Sequence, residues 1–203
     1  MIRDDAGREL AFLQRRVQVV ERWLDLLAET AEMADVQELL SQVAYLAVDV
    51  VPGCDLASIT VIRGGSPTTV ASSDERGVRV DETQYAVGEG PCLQAARTSR
   101  QVRHDNTGPA WLSEVTDESF RHGQVEPPWR RVAREAGITA ILSTPIASSA
   151  DIAAGVNIYS LSSTGWTQEA LDVAEYLADY AGSALTVAYR LNRTQRLRKP
   201  TGP

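Results

Sequence analysis

The chain has 203 residues, 43% hydrophobic and 23% charged, with a formal net charge of −7. That length and composition fit one folded domain with extra helices at its ends, and the acidic balance argues against a general nucleic-acid binder. No apolar run is long enough to span a bilayer, and the start, MIRDDAGREL, lacks the basic region and apolar core of a secretory signal. Two cysteines, Cys54 and Cys92, make no disulfide framework, so a reducing cytoplasmic setting is expected. Two histidines, His104 and His122, have no metal-ligand spacing. No metal and no cofactor are predicted.

In chain order, Glu9 to Glu29 reads as a helix. Leu10, Leu13, Val17, Val20, Leu24 and Leu27 recur by threes and fours, the period of a helix packed on another helix. A second helix begins near Asp35, with Glu38 completing a capping-box pattern, and Pro52 and Gly53 end it. Leu56 to Arg63 alternates as a strand, with Ala57, Ile59 and Val61 on one face and Ser58 and Thr60 on the other. A turn at Gly64 to Pro67 leads to a returning strand, Thr68 to Ser72. Asp74 to Thr83 is polar and reads as a surface connection. Residues 105 to 126 read as a long insertion with isolated Trp111 and Phe120, and loops of this kind often act as lids. Pro127 and Pro128 open a helix that Gly137 stops. Ile138 to Ala147 and Ala153 to Leu161 form a hairpin, and Thr167 caps a last helix.

Tyr85 to Asn106 reads YAVGEGPCLQAARTSRQVRHDN. Gly88, Glu89, Gly90 and Pro91 make a tight turn into a short helix opening near Cys92, and a short strand, Gln101 to His104, follows. Free amides at such a helix start form an anion site and push a thiol toward thiolate. This order resembles the GAF family of small-molecule sensor domains, in particular an actinobacterial type with a GEGPC turn, from about Asp35 to Leu191. AAGVNIYSL, residues 153 to 161, resembles the late strand of that family. The resemblance implies an α+β, PAS-like antiparallel sheet of about five or six strands. Terminal helices would pack on one face, with loops and short helices around a ligand pocket on the other.

The pocket candidates are Cys92, His104, Trp111, Phe120, Asn157 and Tyr159. Cys92 is either a low-pKa redox or ligand-touching thiol or a small buried hydrophobe. One enzymatic branch of the family reduces free methionine sulfoxide with several cysteines, and Cys92 falls at one of those positions, but no cysteine follows to resolve it. His104 is either a ligand, as in haem-binding relatives, or a plain strand-end residue. Period two sets Asn157 and Tyr159 opposite Val156 and Ile158, so the pair faces either the pocket or solvent. Trp111 and Phe120 either staple the insertion to the sheet or line a pocket beneath it.

The domain reading is an N-terminal bundle helix over residues 1–33, a GAF domain over 34–192 and a basic tail over 193–203. A homodimer is expected through Leu10, Leu13, Val17, Val20, Leu24 and Leu27 with Leu177, Ala181, Ala184, Ala188 and Leu191, unless these helices simply pack within one chain. Many members of the resembled type carry an RNA-binding ANTAR domain, for which the stretch up to Pro203 leaves no room. The expected role is sensory or regulatory, in signal transduction or transcription regulation, with an unknown small molecule and a possible regulatory protein partner. The alternatives are a ligand-free scaffold and a Cys92-based reductase.

Overall fold

The computed structural model describes residues 36–105, 126–146, 152–162 and 165–198, with Gly7, Leu13, Gln14, Val17 and Glu21 before them, and the side chains of the last helix as far as Ser183. Ten elements follow in order: α1 (Val36–Val50), β1 (Leu56–Arg63), β2 (Ser66–Ser72), α2 (Glu75–Val87), α3 (Pro91–Thr98), β3 (Val102–Asp105), α4 (Pro128–Glu135), β4 (Ala140–Ile146), β5 (Ile152–Ser160) and α5 (Gln168–Arg198). The strands form one antiparallel sheet in the order β2-β1-β5-β4-β3. Gly64 and Gly65, with φ of 54° and 84°, close the two-residue turn between β1 and β2.

Strand alternation divides the protein into two cores. Ala57, Ile59, Leu142, Val156 and Ile158 face the back, where α1 and α5 cover them with Val43, Ala47, Val173, Ala174, Leu177 and Ala181. Leu56, Ile141 and Tyr159 face the front, packed with Val80, Trp129 and Ala133 from α2 and α4. The expected arrangement of helices behind and short helices in front is therefore observed.

Three expectations are corrected. The polar stretch after Asp74 is not a surface connection but helix α2. Asp74 caps it by accepting from the Arg76 amide, and Gly88 closes it in the left-handed region at φ 74°. Its buried residues are Gly77, Val80, Asp81 and Gln84, a stripe with helical spacing that is mostly not apolar. Leu177 and Ala181 are fully buried in the chain's own core and cannot also form a dimer seam. The basic stretch expected as a tail from residue 193 is helical as far as Arg198.

Among the remaining seam residues, Leu13 and Val17 lie on helix and are about half exposed, at 46% and 54%. Leu10, Val20, Leu24 and Leu27, and the side chains of Ala184, Ala188 and Leu191, fall outside the described residues. So do Trp111 and Phe120.

Candidate functional site

The front of the sheet is polar at its centre. Register brings Ser143, Asn157 and Ser58 side by side across β4, β5 and β1, and places Thr60 beside Thr69 of β2. Ser58, Ser143, Asn157 and Tyr159 are all no more than 1% exposed. Asn157 and Tyr159 thus face the front, while Val156 and Ile158 face the helices behind, as period two implies.

Helix α2 lays Asp81 onto this surface. Its Oδ2 accepts from Ser58 Oγ at 2.6 Å and Thr69 Oγ1 at 3.1 Å. Its Oδ1 accepts from Asn157 Nδ2 at 2.9 Å, from the Tyr159 hydroxyl, and at 3.5 Å from Gln84 Nε2. Ser143 donates to Asn157 Oδ1 at 2.9 Å, which turns the amide nitrogen toward Asp81 and Thr60. Tyr85 bridges Thr60 and Thr69 at 2.7 and 2.8 Å. A hydroxyl has one hydrogen to give. Since Thr69 gives its own to Asp81, Tyr85 donates to Thr69 and Thr60 donates to Tyr85. The chain of donors therefore runs in one direction and ends on the carboxylate, an arrangement in which each bond strengthens the next.

No Lys, Arg or His bonds Asp81 among the described residues. Burial pushes its pKa up to about 6, against the hydroxyl and amide donors that pull it down. Burial, with the Asp81 charge behind it, also drives the Tyr159 and Tyr85 phenols well above their ordinary range. The phenols therefore act as hydrogen-bond donors rather than acids.

The GEGPC turn is closed from within. Gln84 Oε1 accepts the Cys92 amide at 2.9 Å, so one of the free amides at the start of α3 is capped by a side chain of α2. Arg97 reaches back to the Gly88 carbonyl at 2.7 Å. Gly90 has φ 135°, and a Cβ there would lie 2.4 Å from Gln84 Oε1. The turn needs glycine because Gln84 fills the space and because L side chains resist that backbone.

Cys92 is buried, and burial followed by the Asp81 charge pushes its thiol up rather than toward thiolate. Of the two readings of Cys92, the low-pKa one is corrected: the Leu93 and Cys92 amides pull the thiol down, but burial and the Asp81 charge outweigh them. Cys54 is likewise pushed up to about 12, chiefly by burial. Both thiols are expected to resist an aromatic disulfide reagent at pH 8 in the native protein and to react at once in denaturant. Rapid native labelling of either would contradict this placement.

His104 lies apart from the cluster, on edge strand β3. Its ring meets Trp129 edge-on at 5.2 Å. With Arg130, Ala133 and Ile138 these rings line a small open cleft of about 20 Å3 beneath α4. No group of three or more His, Cys, Asp or Glu side chains suited to a metal occurs among the described residues.

The structure thus brings Cys92, Asn157 and Tyr159 to one front-face cluster and leaves His104 at its edge. Asp81, Gln84 and Tyr85 are the residues that sequence reasoning missed. Asp74 as a cap and Gly88 as a stop were the available signals for α2.

No curated protein sequence matches this chain. Solved structures with the same fold include the GAF domain of a phosphoenolpyruvate-protein phosphotransferase from Coxiella burnetii (13% identity, TM-score 0.55, covering 86% of this chain and 96% of that one). The GAF domain of a two-component sensor histidine kinase from Bacillus halodurans is also similar (10% identity, TM-score 0.55, covering 78% and 98%). So is a type II free methionine-R-sulfoxide reductase from Thermoplasma acidophilum (12% identity, TM-score 0.52, covering 77% and 94%). The sequence profile of the GAF domain matches residues 33–186, three quarters of the chain. With the five-stranded antiparallel sheet and its flanking helices, this places the chain in the GAF domain family.

Proposed function

We propose that this GAF chain is a non-catalytic regulatory module that senses a small molecule at the front of its sheet and reports through its terminal helices. The observation that carries this reading is the oriented polar cluster around Asn157 and Tyr159, enclosed beneath α2. The strands that hold it also hold the rear helices. Ser58 and Thr60 of β1 alternate with Ala57 and Ile59, which pack on α1 and α5. Gln101 adds a second link, donating at 2.8 Å to the Leu171 carbonyl in α5. A ligand that prefers one arrangement of the front would shift the balance of the back.

Similarity to a reductase does not carry its chemistry here. Thiol chemistry needs an accessible thiolate, and both thiols are buried and pushed up. The likeness to a sensor-kinase domain supports a place in signal transduction, with output to a protein partner, and buried free thiols suit the cytoplasm.

The exposed positions Leu13 and Val17, one helical turn apart, support a homodimer through the N-terminal helix. Sedimentation equilibrium is expected to give twice 22.1 kDa at micromolar concentration. A single 22.1 kDa species would remove the dimer from the account. Native and denaturing mass spectra of the fresh protein test the sensing role, with mass lost on denaturation as the expected result. The second reading, a ligand-free scaffold, is favoured by the fact that Asn157, Tyr159 and Asp81 already satisfy one another. A clean apo dimer would select it.

A further inference from the structure

The hold of α2 on the sheet is unusual in composition. Of its four buried residues, one is glycine and two are polar, leaving Val80 as the sole sizeable apolar anchor. Burying one valine side chain is little to hold a 13-residue helix. Gly77 contributes by close approach instead: a Cβ there would lie 3.1 Å from the Tyr159 ring. The attachment of α2 to the sheet therefore rests heavily on polar bonds, those of Asp81 and those of Tyr85 to Thr60 and Thr69.

The groups that receive Asp81 belong to the sheet. Ser58 is on β1, Thr69 on β2, and Asn157 and Tyr159 on β5. These three strands are hydrogen-bonded neighbours, so the spacing of the donors is set without α2. Their directions are set as well. Ser143 orients the Asn157 amide. Two hydroxyls serve one carboxylate oxygen, and an amide and a phenol serve the other. A carboxylate is an acceptor-only group with two oxygens, and it matches such a donor set. The charged groups facing it are few. Tyr85 and Tyr159 are neutral donors, and Cys92 of α3 is a neutral thiol. The site thus recognises the shape and lone pairs of a carboxylate without a counter-cation.

Building on the front-face sensing reading, we propose that Ser58, Thr69, Asn157 and Tyr159 form a carboxylate-binding site that the resting chain fills with its own Asp81, and that a small organic acid from solution competes for it and lifts α2. The free acid gains the bonds that Asp81 releases, and Asp81 gains water. Because the occupant is tethered, competition is weak for the smallest acids and improves with any part of the ligand that replaces Val80 against the front core.

The test uses Asp81→Ala, formate and acetate as probes, and chloride at equal ionic strength as control. A tenfold excess of formate over its dissociation constant is expected to raise the melting temperature of D81A by about 4 °C. Chloride leaves D81A unchanged, and the double variant D81A/N157A loses the response. Equal behaviour in formate and chloride overturns the proposal. If D81A does not fold, refolding in formate must restore a cooperative melt, and a chain that stays unfolded in both salts equally overturns it. In the unaltered protein, acetate is expected to speed amide exchange across residues 78–87 while α1 stays protected. Rescue of D81A without that effect would leave a receptor for Asp81 alone and overturn the competition. A retained ligand without a carboxyl group would overturn this inference and leave the sensing role standing.

Discussion

Asp81→Ala is expected to cost about 3–5 kcal/mol at pH 5, lowering the melting temperature by about 10 °C. The change strands the Tyr159 hydroxyl, the Asn157 amide and the Ser58 and Thr69 hydroxyls in a dry interior. Each buried group left without a partner costs about 1–3 kcal/mol, and the costs are not additive because the hydroxyls can turn toward one another. Asp81→Asn keeps the shape and one acceptor oxygen, and its cost is expected to stay within about 1 kcal/mol at pH 7. The pair differs further in pH response. The folded pKa of Asp81 is about 6, above the ordinary aspartate value of about 3.9. The folded state therefore binds this proton more tightly than the unfolded state. Stability from the group is complete below about pH 4 and is lost as pH rises through about 6, by about 3 kcal/mol in all. Urea denaturation from pH 4 to 7 is expected to show D81N gaining on the unaltered protein by about that amount. A constant difference across the range, or a D81A cost below about 1 kcal/mol, would mean that the carboxylate is not the centre of the network.

Gly90→Ala is the second large effect, at about 3 kcal/mol. Glycine alone is at ease at φ 135°, and the added Cβ would stand 2.4 Å from Gln84 Oε1. Relief requires Gln84 to move, and its movement uncaps the Cys92 amide and loosens its contact with Asp81. The substitution is thus expected to disturb both α2 and α3 while leaving the rear core intact. Gly88→Ala is a useful comparison. It shares the positive φ, at 74°, but meets nothing within 4 Å. Its cost is expected near 1 kcal/mol, the backbone strain alone. Equal losses for the two variants would argue that Gln84 does not fill the turn.

Both effects centre on a helix that the sequence hid. Where burial is apolar, the sequence was legible. Ala57, Ile59 and Val61 alternate as a strand should, Gly64-Gly65 marks its hairpin, and Thr167 caps α5 by accepting from the Ala170 amide. The residues of α2 repeat with the same helical regularity, at 77, 80, 81 and 84, but only one of them is a sizeable hydrophobe. A search for apolar periodicity passes over such a stripe. The facing of Asn157 and Tyr159 was readable from period two. Their partner Asp81 was not, because it lies 76 and 78 residues away and is met only through the fold. The GEGPC turn was readable as a turn but not as a closed one, since the group that fills it is the Gln84 side chain eight residues before the Cys92 amide. The same long-range packing decides between the two readings of Cys92 in favour of the small buried hydrophobe, and the packing of α5 on α1 withdraws Leu177 and Ala181 from any partner.

On this proposal α2 closes the front of the sheet through Asp81 and can leave it without unfolding the rest, and native-state hydrogen exchange across α2, α1 and β5 reads that opening residue by residue. The expected result is that the amides of residues 78–87 open at a free energy well below that of Val156 to Ile158, and that D81A lowers the first without touching the second. If α2 instead exchanges only with global unfolding, in step with β5 and indifferent to D81A, the helix is a fixed part of the core and no acid displaces Asp81.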